Sequence, residues 1–370
     1  MNILFDYSIF FHQKYGGVSR YFLNLHNEFL KKNINTKIIA PIHNNIFLKN
    51  YVKANSGNNY LKDYPRFTRK LLKTYNQLFS KLYCKLHKPD IIHKTFYEKN
   101  IDNDSKIKKI LTVYDLIHEI YYNEYNLEKN LKPKEIALKN IDKISCPSKK
   151  TKKDLINFYN ISENKIEVVY MGIHRFDKIR DENLTKIDSP FILYVGDRKR
   201  YKNFSNLIKA YSISSKLQRD FKLICCGGGE FTDSERSNIS KLKIDITKII
   251  QIEGSDNQLH YLYKNASAFI FPSKYEGLGL PQLEAMSLGC PVISSNHEAI
   301  MEAVGNAAAL FNPEEPEDIK FKIISRSNVN SKMSGPLIIV ESTAITYVDV
   351  NYDVTRDSDS NLLIVNREMK

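Results

Sequence analysis

Short apolar runs alternate along this chain with longer segments whose apolar residues recur at helical spacing. Runs at 3–6, 36–42, 90–93, 110–114, 143–146 and 167–170 read as strands, and so do runs at 191–195, 221–226, 249–252, 268–271 and 291–295. A strand followed by a helix must cross over before the next strand can pair with it. The pattern therefore specifies open parallel sheets covered on both faces, an α/β architecture. At 370 residues the chain is too long for one ordinary core, and a hydrophobic content of 42% is ample for two. The polar, charged stretch 177–189 separates the two series of strands. The expectation is an amino-terminal Rossmann-like domain over 1–175, a linker over 176–190, a second Rossmann-like domain over 191–320 and a tail over 321–370.

The densest chemistry lies in 269–289, FIFPSKYEGLGLPQLEAMSLG. An apolar strand ends at Pro272, a loop carries Glu276, Gly277 and Gly279, and Pro281 opens a helical pattern. Proline suits the first helical position because the N–H it lacks would have no partner there. On this reading Glu284 stands in the first helical turn and Glu276 before the helix, with glycines between that let the backbone approach a ligand. A helix N-terminus attracts phosphate, and a carboxylate accepts hydrogen bonds from sugar or ribose hydroxyls. One site could hold both halves of a sugar nucleotide. The plainer alternative is that Glu284 complements the helix dipole and Glu276 is solvated.

Two further strand-to-helix turns have similar character. In QKYGGVSR, Gly16 and Gly17 precede a helical pattern reaching about residue 32, where amides would face a phosphate or simply allow a tight turn. After 191–195, Gly196 is followed by Asp197, Arg198, Lys199, Arg200 and Lys202, and a helical pattern then runs over about 203–217. Cations crowded there suit a diphosphate whose charge grows as a glycosidic bond breaks, the alternative being a solvated basic loop.

Glu276-x7-Glu284 within EGLGLPQLEAMSLGCPVISS resembles the E-x7-E signature of retaining glycosyltransferase family 4, which has the two-domain GT-B fold. YGGVSRYF resembles the amino-terminal glycine loop of family members that build bacterial surface polysaccharides such as O-antigen and capsule, and EAVGNAA from Glu302 resembles a later motif. The resemblance runs from Asn2 to about Asp318. It implies a sugar moved with retention from a GDP-sugar or UDP-sugar to a glycan or lipid-linked acceptor, without a metal or other cofactor. By motif match, Lys202 and Arg198 would hold the diphosphate, with Arg200 as second choice because Asp197 occupies the family's usual arginine position. Glu284 would hold the ribose and Glu276 the sugar hydroxyls. The amides of Gly277, Leu278 and Gly279, with those around Gly16, Gly17 and Gly196, would complete the anion site. His118 is the titratable candidate near Asp115, although Tyr114 stands where the family has histidine. The ligand cleft is expected between the two domains. A nucleotide-sugar epimerase or hydrolase, or a non-catalytic binding protein, are the competing readings.

The five cysteines form no CxxC pair and read as small buried residues. No nucleic-acid motif accompanies the net charge of +13, which abundant lysine explains equally well. A basic helix over 66–88 carries Phe67, Leu71, Tyr75, Leu78, Leu82 and Leu86 on one face. That stripe is expected in the core, the alternative being contact with an anionic membrane surface. Without a leader or a long apolar span, the chain is expected in the cytoplasm, free or peripheral at the inner face of the membrane. Beyond about Lys320 the resemblance ends, and 345–350 and 362–365 look like strands. Asp357-Ser358-Asp359 between them is read as a chance D-x-D and not a metal site.

Overall fold

The computed structural model describes residues 1–51, 58–98, 106–121, 128–173 and 184–320, and beyond them six strands between Ile323 and Asn366. Asp357-Ser358-Asp359 and most of the expected linker lie outside the described residues. The chain divides into two compact units, Met1–Tyr170 and Met171–Lys370.

Unit 1 is built on six strands, β1 Asn2–Phe5, β2 Asn35–Ile38, β3 Ile91–Lys94, β4 Lys108–Thr112, β5 Lys143–Cys146 and β6 Ile166–Val168. They pair in parallel in the order β2-β1-β3-β4-β5-β6. Helices cover them, so Leu4, Phe5, Ile92, Leu111, Ile144 and Cys146 are all buried. The run expected as one strand over 36–42 is broken: β2 stops at Ile38, and past Pro41 the pair Ile42–His43 joins Asn59–Tyr60 instead. Proline has no N–H to donate to a ladder. The loop expected after β1 begins with a short buried helix, Ser8–His12.

The Arg69–His87 helix overturns the expectation that its apolar stripe lies in the core. Its buried residues are Asn76, Ser80 and Cys84. Asn76 accepts from the Ile42 amide at 2.9 Å and donates to the Ile42 carbonyl at 2.8 Å, which fixes the helix by its polar side. Leu71, Leu78, Leu82 and Leu86 face solvent, each more than half exposed.

Unit 2 also holds six parallel strands, β7 Phe191–Val195, β8 Lys222–Cys226, β9 Ile249–Ile252, β10 Ala268–Phe271, β11 Val292–Ser295 and β12 Ala309–Phe311, in the order β9-β8-β7-β10-β11-β12. Alternation along β7 serves both faces: Ile192 and Tyr194 enter one core cluster, Phe191 and Leu193 the other. The helix expected over 203–217 is two, Phe204–Ser212 and Ser215–Asp220, because Ser214 caps the second by accepting from the Leu217 amide at 3.2 Å. All five cysteines are buried thiols. The tail forms two three-stranded sheets, one containing Ile345–Val348 and the other Leu362–Asn366, where strands were expected.

Candidate active site

In unit 2 the strand order reverses direction between β7 and β10, which lie side by side with Ile192 next to Ala268 and Leu193 next to Phe269. In open α/β sheets the crevice at such a point, outside the carboxyl ends of the strands, is where ligands bind. The loops leaving β7 and β10 therefore emerge together. Lys202 Nζ donates to Glu276 Oε1 at 2.7 Å, joining residues 74 positions apart, with side chains 17% and 11% exposed. Asn203, buried and at φ 59°, staples the two loops by donating to the carbonyls of Pro272 at 3.1 Å and Pro313 at 2.7 Å. The Lys274 amide donates to the Tyr201 carbonyl at 2.7 Å.

Within the loop, Glu276, Gly277, Leu278 and Gly279 are all buried. Gly279 takes φ 85°, and a Cβ there would lie 2.8 Å from both Phe271 and the Gln282 amide nitrogen, so no other residue fits. Buried Gln282 holds the turn by donating to the Leu278 carbonyl at 3.2 Å and accepting from Ser294 Oγ at 2.6 Å. The helix starts directly after Gly279, at Leu280, and Pro281 is its second residue. Its first turn contains no acid. Glu284 thus lies one residue deeper than the sequence suggested, at the start of the second turn, half-buried, and accepts from the Tyr263 hydroxyl at 3.4 Å.

Arg198 is placed differently from the motif-based expectation. Its side chain is 3% exposed and its Nε donates to Glu235 at 2.7 Å. The same guanidinium donates to the carbonyls of Gly227, Gly229 and Glu230, each at 2.9 Å. It also stacks 4.6 Å from the Phe231 ring centre. Gly227, Gly228 and Gly229 all have positive φ, and Arg198 is the clamp that closes this turn. Its three nitrogens, Nε, Nη1 and Nη2, all donate within the protein. Burial works to raise the Glu235 carboxyl, but hydrogen bonds from Arg198 and Thr232 outweigh it and the net shift is downward. Arg200 lies exposed at the start of the turn Arg200–Lys202, and Gly196 at φ 134° ends β7.

In unit 1 the corresponding reversal lies between β1 and β3. Asp6, fully buried just past β1, ties the two loops by accepting from the Thr95 amide and from Ser8 Oγ, each at 2.8 Å. Burial raises its pKa against the opposing hydrogen bonds of Thr95 and Ser8. A cavity of about 520 Å³ opens at this edge, lined among others by His12, Lys73, Phe96, Glu98, Tyr114, Asp115 and His118. Glu98 is its buried anion, held by His12 Nε2 at 2.7 Å and Lys73 Nζ at 2.7 Å. Burial pushes the Glu98 carboxyl up, and the hydrogen bonds and charges of His12 and Lys73 more than reverse it. Half-buried His118 joins this cavity, whereas neighbouring Glu119 is spent in a buried pair with Lys134 at 2.8 Å. At the glycine loop, Gln13 Oε1 accepts from the Ser19 amide at 3.0 Å, and a Cβ on Gly16 would lie 2.3 Å from the Gln13 side chain. The helix Gly17–Lys31 thus has one of its first amides capped from within, while Gly17 has open space around it.

Sequence reasoning missed Asn203, Gln282, Glu235, His12, Lys73 and Glu98. Only a polar residue inside an otherwise apolar pattern could have hinted at the first two. The others depend on strand order.

Two parallel sheets, each with polar and charged side chains gathered where its strand order reverses, make this a two-unit GT-B α/β protein. The family model "Glycosyltransferase Family 4" matches residues 15–175, and "Glycosyl transferases group 1" matches 175–332. Together these two glycosyltransferase models span residues 15–332, and the chain resembles O-antigen enzymes. It is 29% identical to the O-antigen chain mannosyltransferase RfbU of Salmonella typhimurium over 210 residues, 55% of this chain and 57% of that one. It is 26% identical to the serotype-specific mannosyltransferase WbdA of Escherichia coli over 262 residues, 63% of this chain and 32% of that one. The chain thus spans from about a third to just over half the length of these relatives. A glycosyltransferase from Rickettsia africae shares the fold at a TM-score of 0.61, with 21% identity and 86% of each chain covered.

Proposed function

We propose that this chain transfers a sugar, with retention, from a nucleotide diphosphate sugar to a glycan or lipid-linked acceptor in surface polysaccharide synthesis. The observation that carries this reading is the Lys202–Glu276 pair at the strand reversal of unit 2. The pair stores a cation and a carboxylate, each largely desolvated, where a donor would enter. An arriving diphosphate draws Lys202 to its oxygens and releases Glu276 to accept from the sugar hydroxyls. Glu284 serves the ribose from the next helix turn. As the bond from the anomeric carbon to phosphate breaks, its electron pair leaves with the diphosphate, and Lys202 stabilises that charge more in the transition state than in the ground state. The acceptor oxygen bonds to the same face of the sugar, and its proton passes to the leaving phosphate. No metal or other cofactor is assigned a part in this scheme. The unit 1 cavity, with aromatic walls and Glu98, has the chemistry to bind acceptor hydroxyls. The names of the mannosyltransferase relatives make GDP-mannose the first donor to try.

The test is calorimetric binding of GDP-mannose and of UDP-sugars to the intact chain and to Lys202→Ala and Glu284→Ala. One donor should bind, and each substitution should weaken it by about tenfold or more, the worth of a hydrogen bond to a charged group. A folded intact chain that binds none of them overturns the proposal.

A further inference from the structure

We propose that the Arg69–His87 helix of unit 1 seats the protein on an anionic lipid bilayer. A surface helix normally buries its apolar stripe. This helix docks through Asn76, Ser80 and Cys84, with Leu72 and Tyr83 packed beside them, and presents Leu71, Tyr75, Leu78, Leu82 and Leu86 at 49–70% exposure. Their spacing stacks them in one stripe roughly 22 Å long. The bidentate grip of Asn76 on the Ile42 backbone fixes which face points outward.

Charge selects the occupant. Between Arg66 and Lys88 there is no Asp or Glu, and exposed Lys70, Lys81, Lys85 and Lys88 fall along one edge of the stripe. Leucines beside cations match the boundary between acyl chains and anionic headgroups. A second copy of the helix would set like charges against each other. Among the described residues no helix is long and apolar enough to cross a membrane, so the contact is a surface one. Lys73, on the same helix, reaches into unit 1 to pair with Glu98 in the cavity wall. The docked helix would therefore lie beside the cavity that receives a lipid-carried acceptor; this last link alone rests on the transferase reading.

Cosedimentation of the intact chain with vesicles of phosphatidylcholine, alone or doped with phosphatidylglycerol, tests the proposal. Binding is expected only to the doped vesicles and should weaken with salt. Lys81→Gln/Lys85→Gln should lower affinity roughly 25-fold, at about fivefold per basic residue near the surface. Leu78→Gln/Leu82→Gln should abolish binding while leaving thermal unfolding and calorimetric nucleotide binding unchanged. Failure of the intact chain to sediment with doped vesicles overturns the proposal, as does undiminished binding by the leucine variant. A dimer in solution that the leucine variant splits also overturns it, because a second copy then covers the stripe. Vesicle binding by a chain that binds no donor supports this proposal while sinking the transferase reading.

Discussion

Replacing Arg198 by methionine distinguishes a residue that holds the protein together from one that holds a ligand. The side chain is 3% exposed and its guanidinium serves Glu235 and three carbonyls at 2.9 Å. Removing one partner of a buried ion pair costs about 3–5 kcal/mol. Glu235 keeps 21% exposure and its capping bonds to Thr232, so the low end applies, about 3 kcal/mol. Arg198→Lys retains the charge but cannot span the turn, and should cost about 1–2 kcal/mol. Urea unfolding gives these values, and hydrogen exchange in β7 and β8 locates the loss in unit 2. The folded-state pKa of Glu235 lies below its ordinary 4.5. Its contribution is therefore fully present above that value and disappears as pH falls through the depressed folded pKa, so Arg198→Met should flatten the acid limb of the stability curve. A loss below about 1 kcal/mol, within the scatter of ordinary surface changes, would refute this account. If nucleotide affinity collapsed while stability held, Arg198 would be the diphosphate ligand that the motif suggested.

Two further outcomes follow from local geometry. Gly228→Ala should destabilise by about 2–3 kcal/mol, because it adds a Cβ 2.8 Å from Arg198 Nη1 and 3.1 Å from the Gly196 carbonyl oxygen at φ 73°. Gly229→Ala, at φ 71° with open space around its Cβ, should cost only about 1 kcal/mol, and equal losses in urea melts would contradict the clamp. Buried Lys94 has its pKa lowered by burial from 10.5 to about 8, against the pull of Asp6 and Glu98. Between those values the unfolded chain holds the proton more firmly, so stability rises with pH, by up to about 3 kcal/mol at about 1.4 kcal/mol per pH unit. The difference in unfolding free energy between the natural chain and Lys94→Met should therefore shift in favour of the natural chain from about pH 7 to about pH 10. A flat difference would mean that Lys94 stays neutral or stays charged throughout.

The architecture was legible because it is written in local periodicity. Strands β5, β7, β9 and β10 occupy the residues that the apolar runs marked. Misreadings arose where one residue outweighed the pattern, as Pro41 and Ser214 did, or where an element was too short to show a period, as in Ser8–His12. Gly279 moved the start of its helix and displaced Glu284 into the second turn for the same reason.

The sequence by itself determined the parallel α/β architecture, the glycine-bearing loops and the kinds of charge they carry, since each depends on neighbours within a few positions. Tertiary structure decided how those charges are used. Lys202 meets Glu276 because β7 lies beside β10, and Glu98 meets His12 and Lys73 through the folding of unit 1. Arg198 is consumed by a glycine turn at the end of β8, a strand removed from it in sequence. The Arg69–His87 helix turned Leu71, Leu78, Leu82 and Leu86 outward because the hydrogen bonds of Asn76 to Ile42 fixed its orientation. Periodicity tells which residues share a face; only the packing of distant segments tells which face is buried.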